Sequence, residues 1–358
     1  MSDTPTSRPD ASATKAFAER VFGDFRAALV SMLCSLGDRL GLFTALATGP
    51  ATSAEFAARA GIHERYAREW LSGLTAAGYL AYDATTQQFR LPPEHAPVLA
   101  QEPTPFSAGY AFQHLFGWMG MMEDYARAFQ DGKGIPQAAY SQDMWQAMER
   151  SSAIWVKYAL VRKWLPRMPD VLAKLERGAA VADVGCGRAN ALIRLAQAFP
   201  HSSFVGYDAF APTVEAARAN VAAAGLAERI RIELCDAAEG LPETFDIIAT
   251  FDVIHDAAQP LKLLQAMRQA LRPEGLYVCL EPKSAGTLEE NVGPFPAMWY
   301  ACSLFYCMSQ SLANDGAALG AMGTPEAALR ELCQQAGFGT LRSVETDDPS
   351  LALYEVRA

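Results

Sequence analysis

The sequence predicts an α/β protein: a doubly wound, mostly parallel seven-stranded sheet in the C-terminal half, preceded by a winged helix and further helices. Three observations predict it. From residue 179 onward, apolar runs of strand length alternate with helical runs. Within them, VADVGCGRAN (181–190) sends a strand through a glycine turn into a helix, and the next strand, SFVGYD (203–208), stops on an acid. Upstream, signals for helix, turn, helix and hairpin succeed one another between residues 52 and 91.

Residues 1–20 are rich in Ser, Thr, Pro and Ala, hold no apolar core of signal-peptide length, and are expected to be disordered. Residues 21–50 place Val21, Phe25, Ala28, Leu29, Leu33, Leu36 and Leu40 at helical spacing. Thr52-Ser53-Ala54-Glu55 is a capping-box pattern that opens a short helix. Gly61-Ile62 turns the chain, and a second helix from His63 to Ala77 carries Ala67, Trp70, Leu71 and Leu74 on one face. Two short β runs around a polar tip (79–91) complete a winged-helix domain spanning 21–95.

A winged helix raises the possibility of DNA binding. The solvent side of its second helix carries Glu64, Arg65, Arg68 and Glu69, two charges of each sign and no basic footprint. Dimerisation is the better reading. Residues 96–178 read as helices unusually rich in Phe, Trp and Met, a linker that also supplies substrate-pocket residues. The domain from 179 to 358 then holds strands near 181–184, 203–208, 229–236, 245–252, 276–281, 339–344 and 351–356. The last two are joined by a short turn and should pair antiparallel.

Composition narrows the classes of function. The chain has 358 residues, 51% hydrophobic and 20% charged, with a formal net charge of −10. An acidic field argues against nucleic acid as a partner. The 7 cysteines are an odd number without a CxxC pair or a His/Cys cluster at metal-ligand spacing. Reduced thiols in a cytoplasmic protein, with no metal, are expected. No apolar run is long enough to span a bilayer, so no membrane partner is expected.

The glycine turn poses a choice of nucleotide. A dinucleotide fingerprint asks for a third glycine where this chain has Asn190. Asp183, two residues before Gly185, would repel a pyrophosphate and attract an ammonium and a sulfonium. Asp208 ends the second strand, where an acid can accept from both ribose hydroxyls. Asp236 ends the third strand and can accept from an adenine amino group. Three acids at three successive strand ends suit a cationic nucleoside.

With Asp183-x-Gly185-x-Gly187, Asp208 and Asp236 in this strand order, the chain resembles the class I S-adenosylmethionine-dependent methyltransferases. The winged helix narrows the likeness to small-molecule O-methyltransferases in which that domain makes a homodimer. The resemblance covers nearly the whole chain beyond the first twenty residues, departing from the commoner glycine pattern at Arg188-Ala189-Asn190. It implies S-adenosylmethionine as cofactor, with Asp183, Gly185, Gly187, Asp208, Asp236, Ala237 and Phe251 as candidate contacts.

Of 5 histidines, His255 in FDVIHDAAQP stands just beyond the fourth strand, at the edge of the sheet where ligands bind. On position alone it is either a helix-start residue or a base. The resemblance favours a base, because the family's His-Asp step matches His255-Asp256 and its orienting acid matches Glu281. Ala257-Ala258 stand where the family carries Trp after that step. The long insertion 283–323 is apolar and aromatic and reads either as a lid or as a dimer contact. Candidate pocket residues are Leu115, Trp118, Met122, Trp299, Tyr300 and Tyr306. The expected activity is methyl transfer to a small, apolar or aromatic acceptor, at a hydroxyl. S-, N- or C-methylation without a base stays open, as does a ligand-responsive regulator that binds DNA.

Overall fold

The structure is a computed structural model that describes residues 9–357. Its first helix, α1 (Ala11–Arg39), begins inside the stretch expected to be disordered. The reason is local. Asp10 caps the helix by accepting from the Ser12 N–H at 2.8 Å, and ATKAFAER behind it is made of good helix formers. The rest of that stretch, residues 1–8, lies outside the described residues. Gly41, in the left-handed region, breaks the run between α1 and α2 (Leu42–Ala47).

The described chain falls into two compact units, one up to Phe116 and one from Gly117. In the first, α3 (Ser53–Ala60) starts on the predicted capping box, Thr52 and Glu55 bonding reciprocally. His63 caps α4 (Glu64–Ala76), and Ala67, Trp70, Leu71 and Leu74 are buried on its inner face. A two-stranded antiparallel wing, β1 (Ala81–Asp83) and β2 (Gln88–Arg90), comes after it. The short α5 (Ala96–Leu99) is next, and α6 (Gly109–Met119) crosses the boundary between the units. Phe43, Phe56, Trp70 and Leu74 centre this core. The outer face of α1 leaves Phe17, Val21, Phe22, Phe25, Leu29 and Leu36 exposed.

The second unit opens with α7 (Met122–Asp131), α8 (Gln142–Trp155) and α9 (Pro169–Arg177). Between α8 and α9, residues Val156–Trp164 widen into π-type turns. The sheet comprises β3 (Ala180–Val184), β4 (Ser203–Asp208), β5 (Ile230–Leu234), β6 (Phe245–Phe251), β7 (Leu271–Pro282), β8 (Thr340–Val344) and β9 (Leu351–Arg357). Its order is β5-β4-β3-β6-β7-β9-β8. The first five strands are parallel, and β9 lies antiparallel between β7 and β8. The order reverses beside β3, so the crevice outside the carboxyl ends of β3, β4 and β6 is where a ligand is expected.

Strand pleating divides the core between two faces. Val181, Ile247 and Val278 belong to one apolar layer, beside α9, α10 (Asn190–Ala198) and α11 (Ala211–Ala223). Their neighbours Ala182, Ile248 and Tyr277 belong to the other, with α12 (Pro260–Ala270) and α15 (Glu326–Gln335). The insertion folds as α13 (Pro294–Cys302), a π-type stretch Ser303–Cys307 and α14 (Met308–Leu312). Tyr306, Cys307 and Ala321 pack with Met121, Tyr125, Tyr140 and Met144, so this part is an internal wall. Phe295, Met298 and Tyr300 on α13 stay exposed.

Candidate active site

The glycine turn after β3 is built by two left-handed residues. Gly185 has φ +70, and a Cβ there would meet Val253 Cγ2 at 2.7 Å. Gly187 has φ +52 and nothing within 4 Å of where a Cβ would stand, so its backbone faces open space. Ala189 also sits at φ 66, a strained place for an alanine. Asn190, where a dinucleotide fold has glycine, donates to Glu149 O and Ser152 Oγ on α8. Arg188 pairs with the Glu149 carboxylate at 2.7 Å, and Asn220 donates to the same carboxylate at 2.9 Å. This tie between α8 and the turn is not legible in the sequence, because Glu149 and Asn220 carry no motif of their own.

The strand-end acids differ sharply in environment. Asp183 is 2% exposed and its Oδ1 has no hydrogen-bond partner among the described residues. Burial, with Asp208 nearby, holds its carboxyl well above the usual range. Asp208 accepts from the Gly187 N–H at 3.1 Å and from the Phe210 N–H at 2.9 Å. Burial raises it to about 6 against those two bonds. Asp236 accepts from the Ala238 N–H at 3.0 Å, and the adjoining Ala237 is buried. Phe251 ends β6 with its ring 5.2 Å from Trp155. A buried carboxyl with one unpartnered oxygen is what an ammonium or sulfonium would satisfy, and the open backbone at Gly187 leaves room for it. The residues present therefore fit S-adenosylmethionine.

Beyond β6 the chain turns through Asp252, itself left-handed at φ 67. Glu281, at the end of β7 and 0% exposed, organises this turn. Its Oε1 accepts from the Val253 and Ile254 N–H groups at 3.2 and 2.8 Å. Its Oε2 accepts from the His255 N–H at 3.2 Å and from Thr324 Oγ1 at 3.3 Å. The same Oε2 lies 2.7 Å from His255 Nδ1. An ionised carboxylate can only accept, so this contact keeps a proton on Nδ1 and leaves Nε2 as the nitrogen that exchanges one. Nε2 lies 3.1 Å from Asp256 Oδ1, which is shielded from solvent and pairs with the ring when it is protonated. Burial alone would pull the His255 pKa down, but Asp256 and Glu281 outweigh it and hold it well above the ordinary value. Asp252, 49% exposed, lies 3.9 Å from Nδ1.

The pocket residues sort themselves unevenly. Tyr306 is buried, with its ring 5.1 Å from Tyr140 and 6.0 Å from Trp145. Trp145 in turn lies 5.5 Å from Phe210, so an aromatic wall runs from the insertion to the end of β4. Trp118 and Trp299 pack at the edge of the same cluster. Met122 and Tyr300 do not: they are 55% and 40% exposed, and Met121 is the methionine turned inward. Met121 stands at the N-cap of α7 with non-helical backbone, whereas Met122 is the helix's first residue. Leu115 belongs to the N-terminal unit.

This strand order, glycine turn and row of acids define a class I methyltransferase fold carrying a winged-helix domain. Residues 28–101 match the Rv2258c-like winged HTH domain and residues 175–335 match a methyltransferase domain. The chain thus joins a winged-helix domain to a methyltransferase domain. It is 32% identical over 103 residues to the ubiquinone biosynthesis O-methyltransferase of Roseobacter denitrificans, a match covering 29% of this chain and only 41% of that protein. It is 29% identical over 249 residues to the 3-hydroxy-5-methyl-1-naphthoate 3-O-methyltransferase of Streptomyces sahachiroi, 67% of this chain and 70% of that one. Human N-acetylserotonin methyltransferase, solved in complex with S-adenosylmethionine, shares the fold, with a TM-score of 0.69 at 17% identity over 99% of each chain. No helix among the described residues is long and apolar enough to cross a membrane.

Proposed function

We propose that this protein transfers a methyl group from S-adenosylmethionine to a hydroxyl of a small, apolar or aromatic acceptor, with His255 as general base oriented by Glu281. The observation that carries the reading is the 2.7 Å contact between His255 Nδ1 and a fully buried carboxylate. Three backbone donors and a hydroxyl converge on that carboxylate, which suits a group that must hold one ring in one tautomer.

Asp183 would face the charged end of the cofactor, Gly185 and Gly187 would let it approach the backbone, and Asp208 would accept from the ribose diol. Asp236, Ala237 and Phe251 would border its base. When bound, the cofactor supplies an electrophilic methyl group on a positive sulfur. The chain's own part is to hold the acceptor in line and to take its proton. That proton goes to Nε2, and the resulting imidazolium lies between Glu281 and Asp256, which stabilise it. The wall of Tyr306, Tyr140 and Trp145 favours a flat apolar acceptor over a highly charged one. The Roseobacter and Streptomyces relatives are both named as O-methyltransferases, which supports the same choice.

The exposed apolar stripe on α1 supports a homodimer formed through the N-terminal unit. Light scattering on the intact chain is expected to give twice the chain mass; a monomer would remove that part of the reading. The activity is tested by incubating the protein with isotopically methyl-labelled cofactor and a metabolite extract, then searching by mass spectrometry for a labelled product one CH₂ heavier. Label appearing only on sulfur, nitrogen or carbon would replace the hydroxyl acceptor.

A further inference from the structure

We propose that His255 Nε2, Asp256 Oδ1 and Cys307 Sγ together form a site for a divalent cation of zinc type. One ligand atom from each of these three residues lies within 4.8 Å of the other two. Spacing in the sequence does not reveal them, because Cys307 reaches the site from the insertion and has no ligand near it in the chain.

The chemistry of the pair comes first. With Nδ1 committed to Glu281, Nε2 is the ring nitrogen left to a ligand, and it stands 3.1 Å from a carboxylate oxygen of Asp256. Two acceptors at that distance repel unless positive charge lies between them. A proton on Nε2 supplies it in the metal-free protein, and a metal ion that displaces that proton supplies it in turn. Unlike the proton, a metal ion also engages the third group. Cys307 is 7% exposed and its thiol lies alongside the His255 ring.

Nitrogen, oxygen and sulfur donors form a set that zinc accepts, at about 2.0–2.1 Å, 2.0–2.2 Å and 2.3 Å respectively. Three protein ligands leave one of four tetrahedral positions open, the pattern of an exchangeable rather than a closed structural site. Glu281 on the far ring nitrogen supplies the carboxylate–histidine support that metal-bound imidazoles generally have. Binding the ion would displace the Cys307 thiol proton to solvent and leave a thiolate on the metal.

The site rests on the transferase reading of the same residues and assigns them a form of regulation. A cation on Nε2 occupies the electron pair that the base needs, so the zinc-loaded and base-competent states exclude each other. Zinc binding itself does not depend on the acceptor being a hydroxyl.

The test uses the full chain, stripped with a chelator, dialysed, and titrated with zinc chloride in a calorimeter, followed by anomalous diffraction at the zinc edge. One ion per chain is expected at these three residues. Cys307→Ala and Asp256→Asn should each weaken binding by about tenfold or more, and Glu281→Gln by about 10–100-fold as an outer support. Cys34→Ala, in the other unit, should leave it unchanged. No bound zinc, or zinc binding indifferent to Cys307→Ala and Asp256→Asn, would overturn the site. Binding of S-adenosylmethionine measured on the same samples separates the two readings. A protein that binds cofactor and ignores zinc loses this inference alone, whereas one that binds zinc and ignores cofactor loses the transferase reading.

Discussion

The outer face of α4 and the carboxyl edge of the sheet are both rich in charge, yet they treat it oppositely. On α4, Arg65 pairs with Glu69 and Arg68 with Glu64, each one helical turn away and each open to water. That charge is neutralised locally and asks nothing of a partner. At the sheet edge, Asp183 is buried with one carboxyl oxygen lacking a donor, Asp208 is raised to about 6, and Asp256 lies 3.1 Å from His255 Nε2. The same residue types thus make a solvated surface in one place and a ligand site in the other. What distinguishes them is whether the protein completes its own electrostatics. Where it does not, something else must.

The contrast is broken most readily at His255. His255→Ala is expected to lower kcat by about 10²–10⁴-fold while changing cofactor affinity no more than a few-fold. Glu281→Gln should lose less, in the same direction. Steady-state kinetics with an identified acceptor, alongside cofactor calorimetry, reads both. Near-full activity in His255→Ala would move the chemistry to a base-free transfer.

The pH profile sharpens the same point. The base works only when Nε2 is unprotonated, and Asp256 with Glu281 holds the His255 pKa well above its ordinary value. Activity should therefore rise with pH along a limb displaced upward from the usual imidazole range of about 6.5. Measured with chelator present, Asp256→Asn should move that limb back down. A limb unmoved by Asp256→Asn would separate Asp256 from the base.

A smaller effect is expected at Ala189. Its left-handed backbone costs about 1–2 kcal/mol, and glycine removes that strain while adding freedom to the unfolded chain. Ala189→Gly should leave stability unchanged or raise it by up to about 1 kcal/mol in denaturant unfolding. A clear loss would mean that the buried methyl group packs more tightly than the backbone is strained. On α4 the expected effect is smallest. Arg65→Ala and Arg68→Ala should change stability by less than about 1 kcal/mol and leave activity intact. Mobility-shift assays with genomic fragments should show no complex for either form.

Much of the fold and part of the site are legible in the sequence because their signals are local. The capping box at Thr52, the glycine turn after β3 and the acids at strand ends each depend on residues within one turn or one strand, so spacing reveals them. The start of α1 is obscured because the composition of its first residues outweighs the cap at Asp10. The Glu149, Arg188, Asn190 and Asn220 network and the meeting of Cys307 with His255 are invisible for a different reason: chain crossings bring them together. The inward turn of Met121 in place of Met122 depends on where α7 begins, which two adjacent methionines do not mark.

If the incomplete charges at the sheet edge are completed by a cationic nucleoside, calorimetry of the intact protein with S-adenosylmethionine and, separately, with NAD tests it most directly. Saturable binding of S-adenosylmethionine is expected, weakened about tenfold or more by Asp208→Ala through loss of a charge-assisted bond to the ribose diol, with no binding of NAD. Clear NAD binding, or S-adenosylmethionine affinity indifferent to Asp208→Ala, would contradict it.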